Sequence, residues 1–277
     1  MVKWGWILGA TAAVLLIGCS SDPPRKKRIL DDPTEFGETI EAEPETFSAE
    51  DHVDTAMIYY HGGKLKEAES QFQMALKQEP EMPDAHCGLG YVLHFEAFMQ
   101  IQAQKPREAI DLHQKSAGHF LEALKKNPKK VEALVGLAMV NFDEYYYFVP
   151  HKQEYRVRAT GYLDRARATA PNNPGVQANC NFQDAKFCLS EKGYAEAKRL
   201  LEDVVDSPGL DPMSQVQAHY MLAGCYVMLN DKERAIEQYR IYLQKYPNAS
   251  DAQDVNDIIV KLQETMATPH EDGGEGH

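Results

Sequence analysis

Among the residues able to do chemistry, the five cysteines are the most informative. Cys87, Cys180, Cys188 and Cys225 fit no metal-ligand spacing, and the chain has no CxxC. Cys180 and Cys188 are about 12 Å apart if they share a helix, too far for a disulfide. These four are expected to be small buried hydrophobes, with Cys188 and Cys225 the pair open to a bridge. The fifth, Cys19, ends an apolar run written LLIGCSS. Catalytic groupings are missing: the chain contains no GxSxG, HExxH, P-loop or GxGxxG. Asp143 and Glu144 are neighbours, so on a helix their carboxylates diverge instead of pairing. His270, Glu271, Glu275 and His277 carry metal-binding groups, but they stand in the loose tail MATPHEDGGEGH without a fixed frame. No enzyme activity, cofactor or metal is expected.

The position of Cys19 gives it a meaning. Lys3 supplies a positive start, and Trp4 to Ile17 are apolar or small. That stretch is shorter than the roughly twenty residues that span a bilayer and fits the hydrophobic part of a signal peptide. Its end, Leu16-Ile17-Gly18-Cys19, resembles the lipobox of bacterial lipoproteins. The resemblance implies cleavage before Cys19 and acylation of that residue; several acyl chains anchor far more firmly than one. Ser20, rather than Asp, after the cysteine implies the outer membrane, periplasmic side. Arg25-Lys26-Lys27-Arg28 then adds cations suited to anionic headgroups. Residues 1–18 are read as the signal peptide and 19–48 as a tether. Its Asp, Glu, Pro and Thr cannot bury enough surface to offset chain entropy, and it would reach about 30 Å. The formal net charge of −13 argues against nucleic acid as a partner.

From Ala49 the chain repeats itself. With Ala49 as position 1, Ala56, Tyr59, Gly63, Ala68, Phe72, Ala75 and Pro80 fall at 8, 11, 15, 20, 24, 27 and 32. The small residues let two antiparallel helices approach, the larger ones fill the space beside them, and Pro80 ends the second helix. A second unit has Leu89, Gly90, Phe120, Ala123 and Pro128; a third has Leu134, Leu137, Ala138, Ala159, Leu163, Ala166 and Pro171. A fourth, with Ala185, Gly193, Ala197 and Leu201, is weaker in register. The fifth has Leu222, Ala223, Tyr226, Ala235, Tyr239 and Pro247. This pattern resembles the tetratricopeptide repeat (TPR). It implies an all-α solenoid of about five helical hairpins over 49–265. The segment ASDAQDVNDIIVKLQET forms an amphipathic capping helix, and 266–277 is a flexible tail. Units two and three exceed the repeat length by about 14 and 9 residues, so longer helices or an enlarged turn are expected there.

In TPR proteins the first helix of each hairpin lines a concave groove. The resemblance assigns to it Val53, Met57, Tyr60, Tyr91, His94, Phe95, Val135, Met139, Phe142, Phe182, Lys186 and Tyr220. Methionine and aromatic side chains suit a protein partner. The insertion DEYYYFVPHKQEY adds Tyr145, Tyr146, Tyr147, Phe148 and Tyr155, which cannot all face one core and so offer a docking patch. Signal and repeats together are similar to pilus-assembly (pilotin-type) lipoproteins and to the TPR lipoprotein of outer-membrane protein assembly. The expected function is a lipid-anchored scaffold holding protein partners of an envelope machine such as a type IV pilus or secretin. The alternative is an adaptor for an envelope enzyme such as a peptidoglycan hydrolase. The repeats name neither the partner nor the oligomeric state.

Overall fold

A computed structural model describes residues 47–207, 209–210 and 212–267. Cys19, the signal segment, the tether up to residue 46, and the tail histidines and glutamates lie outside the described residues. Among the described residues all regular structure is helical. Five antiparallel hairpins follow one another: α1 (Ala49–His61) with α2 (Leu65–Gln78), α3 (Pro83–Gln102) with α4 (Pro106–Lys126), α5 (Val131–Asp143) with α6 (Gln153–Thr169), α7 (Pro174–Ser190) with α8 (Tyr194–Val205), and α9 (Pro212–Met228) with α10 (Lys232–Lys245). The final helix, α11 (Ala252–Ala267), packs on α10 and runs two residues beyond the expected boundary. No helix among the described residues is long and apolar enough to cross a membrane.

Local sequence explains the helix ends. Ser48 and Asp51 form a reciprocal capping box at the start of α1. Asn173 caps α7 by accepting from the backbone N–H of Gly175 and Val176, with Pro174 at the first helical position. Each hairpin turn puts one residue in left-handed backbone just before the second helix: Gly63, Gln104, His151, Lys192 and Asn230. Only the first is glycine, the residue for which this conformation is cheap. In the fourth unit Lys192 takes this place and Gly193 follows at φ −78° as the N-cap, which settles the register there.

These turns also locate the insertion of unit two. Gln104 follows Gly90 by 14 residues where Gly63 follows Ala56 by 7; Phe120 follows Gln104 by 16 where Phe72 follows Gly63 by 9. Each helix of the second hairpin is therefore longer by seven residues, close to two full turns, so the facing stripes stay aligned. Unit three differs: α5 runs into a π-helical turn at Glu144–Phe148.

The hairpins stack through alanine and glycine. Ala56, Ala68, Ala75, Ala123, Ala138, Ala159, Ala166, Ala185, Ala197, Ala223 and Ala235 are fully buried. Phe72 and Phe120 fill the gaps beside them, also fully buried. The helix at the centre is α5, in which every residue from Glu132 to Asp143 is buried.

Candidate functional site

A buried polar and aromatic cluster lies where hairpins two and three meet. It is built on α5, which is apolar from Ala133 to Val140 and then carries Asn141 and Asp143. The Asn141 side chain donates to the Leu137 carbonyl within its own helix, 2.7 Å away. Asp143 instead meets two imidazoles. Its Oδ2 lies 2.9 Å from His94 Nε2 on α3 and 3.3 Å from His113 Nε2 on α4. All three side chains are at least 98% buried. The α4 side arises from its buried stripe Ala109, His113, Ser116, Phe120 and Ala123, spaced alternately by three and four residues.

Burial alone would raise the Asp143 carboxyl. The two imidazoles outweigh it and hold the group below the usual carboxylate range, so Asp143 is an anion. Burial lowers His94 below its ordinary value against the pull of Asp143, so its ring is neutral at pH 7. Lys186 on α7 is buried too. Its Nζ lies 4.3 Å from the centre of the Phe142 ring. Burial brings it down to about 8, with Asp143 opposing.

The groove residues are mostly not at a surface. Tyr60, Tyr91, His94, Val135, Met139, Phe142, Phe182, Lys186 and Tyr220 are buried; Val53, Met57 and Phe95 are half-buried. The reason is packing between hairpins. Tyr91 donates its hydroxyl to the Glu132 carbonyl at 2.7 Å and sets its ring edge-on to Phe120. Phe142 meets Phe187 edge-on at 4.9 Å, and Tyr220 meets Tyr239 and Tyr242. Side chains this large reach the neighbouring helix, and what was expected to line a groove cements the stack.

The tyrosine insertion divides. Tyr145 turns inward, 1% exposed, donating to Glu191 Oε1 at 3.0 Å and packing on Phe187. This corrects its assignment to a docking patch. Tyr146, Tyr147, Phe148 and Tyr155 stay half-buried. Tyr146 stacks on Phe142, and Phe148 sets its edge against His113 at 5.2 Å, covering the polar cluster. Val149 and Val157 beside them are exposed.

Two features escaped the sequence reading. Asp143 was read as one of two diverging carboxylates, but it is buried between histidines. His113 was passed over, although its place on the Ala109–Phe120 stripe marks it as inward-facing. The four described cysteines are free thiols, so Cys188 and Cys225 are not bridged. Burial pushes Cys180 and Cys225 up to about 12, leaving them protonated at neutral pH.

Hairpins in this register, stacked and closed by a capping helix, define an all-α TPR solenoid. Residues 217–249, within α9 and α10 and just past them, match the family model described as Tetratricopeptide repeat. A crystal structure of a thermophilic TPR protein from Thermus thermophilus is similar to this chain at a TM-score of 0.57 and 16% identity. That match covers 78% of this chain and all of the other. The pilF protein of Pseudomonas aeruginosa gives 0.38 and 16%, covering 76% of this chain and 97% of its own. Among curated proteins, the peroxisomal targeting signal receptor of Saccharomyces cerevisiae is 26% identical over 199 residues. These are 69% of this chain and only 28% of the receptor, well under a third of its length.

Proposed function

We propose that the chain is a lipid-anchored scaffold on the periplasmic face of the outer membrane. Its solenoid holds a protein partner during assembly or localisation of an envelope machine such as a type IV pilus or secretin. The observation that carries this reading is one chain joining a sequence around Cys19 that resembles a lipobox to a TPR solenoid that opens at Ala49. Such a solenoid offers a long surface built by repetition, suited to another polypeptide. The similar yeast protein is named a receptor for a targeting signal, which agrees with a role in holding polypeptide. Contact with the partner is assigned to the apolar groups that keep some exposure: Val53, Met57, Phe95, Tyr146, Tyr147, Phe148 and Tyr155.

The test is fractionation of cells carrying Cys19→Ala. The variant is expected in the soluble fraction, while the parent stays with outer membranes and its N-terminal peptide carries the mass of acyl chains. Equal membrane association of both forms would defeat the anchor.

A further inference from the structure

We infer that His94, His113 and Asp143 form a binding site for a divalent first-row transition metal, with zinc the ion that fits best, which ties hairpin two to hairpin three. Three ligands arrive from three helices, α3, α4 and α5, and their donor atoms all lie within 4.8 Å of one another. The separations from Asp143 Oδ2, 2.9 and 3.3 Å, match the edges of a coordination shell. With metal–ligand bonds of about 2.1 Å, neighbouring ligand atoms stand roughly 3.0 Å apart in an octahedron and roughly 3.4 Å in a tetrahedron.

The orientation of these groups agrees. The contacts have ion-pair lengths. All four ring nitrogens of His94 and His113, and Asp143 Oδ2, are buried without a hydrogen-bond partner. Buried polar atoms are almost always hydrogen-bonded, and three of these atoms, one from each residue, lie close enough together to share one ion. A cation would satisfy them through one lone pair from each imidazole and one from the carboxylate. Two nitrogens and one oxygen suit zinc, iron(II), cobalt or nickel, and suit less well calcium and magnesium, which take oxygen, or copper(I), which prefers sulfur.

The surroundings point to a structural role. The three side chains are at least 98% buried, and the Phe148 ring lies edge-on to His113 beside them. The π-helical turn begins at the residue after Asp143, and such turns are rare and concentrate where a helix serves a site.

The experiment uses the full chain in detergent, without a histidine tag, in a background of His86→Ala, His119→Ala, His270→Ala and His277→Ala to remove competing histidines. Zinc chloride or cobalt chloride is the probe. One equivalent should survive gel filtration, raise the thermal midpoint by several degrees and be reversed by EDTA. Cobalt should give the visible d–d bands of nitrogen and oxygen ligation, without a thiolate charge-transfer band. Asp143→Asn and His113→Gln should each weaken binding by at least 100-fold. A parent chain that retains no metal, shows no cobalt bands and ignores EDTA would overturn the inference, as would undiminished binding by Asp143→Asn. If a variant fails to fold, the cobalt spectrum of the parent decides.

Discussion

Position 4 of the repeat shows how one side chain can register a whole hairpin. His52 Nδ1 meets Gln71 Oε1 at 2.7 Å, and His219 Nδ1 meets Gln238 Oε1 at 2.8 Å, both pairs 19 residues apart. In unit two His86 Nδ1 meets His119 Nδ1 at 3.0 Å, 33 residues on, and the extra 14 is the insertion itself. His86 Nε2 lies 3.1 Å from the Pro80 carbonyl, which only accepts, so that nitrogen donates. Its Nδ1 then accepts from His119. His119 is lowered below its ordinary value by burial first and by His86 second. The unfolded chain therefore binds more protons than the folded one as pH falls through about 6.5, and stability drops with acidification. His119→Asn is expected to flatten the fall in thermal midpoint between pH 7 and pH 5. It would not abolish it, since burial lowers His61 and His219 in the same direction. An unchanged slope, followed by circular dichroism, would contradict the assignment.

At the scale of elements, close approach is what the small residues provide. The Phe120 ring is clamped between α3 and α5: a Cβ added at Gly90 would come within 2.6 Å of it, and one at Gly136 within 2.4 Å. Alanine in a helix is favoured over glycine by about 1 kcal/mol, but forcing a methyl into a full core costs about 1–3 kcal/mol. Gly136→Ala is thus expected to lower the thermal midpoint by up to about 8 °C. Gly118→Ala, on the same α4 that carries Phe120 but with nothing within 4 Å, should raise it slightly. Differential scanning calorimetry of the pair checks both signs. The helices themselves were legible in the sequence because alanine, aromatic and proline recur at fixed intervals. The π turn was not: EYYYF has no apolar period, and the extra residue it accommodates is set by contacts with Phe187 and His113 in other helices.

Across the whole molecule, repetition fixed the architecture and left the surface open. The repeat register marks which residues point toward neighbouring first helices. Whether such a residue meets water or the next hairpin depends on the pitch of the stack and the size of the side chain, which no single repeat encodes. Phe142, Phe182 and Tyr220 were readable as a set but not as core. Asp143 was unreadable because its partners lie 49 and 30 residues upstream on other helices. The central claim is that this solenoid, held at the envelope through Cys19, grips a partner along its half-exposed aromatic edge. Photo-crosslinking in living cells tests it most directly, with a benzophenone amino acid in place of Tyr146 and, as a control, of the exposed Asp203 on α8. The account predicts a covalent adduct with one envelope protein from position 146, absent from position 203 and lost in Cys19→Ala. No adduct at 146, or one that persists unchanged without Cys19, would contradict it.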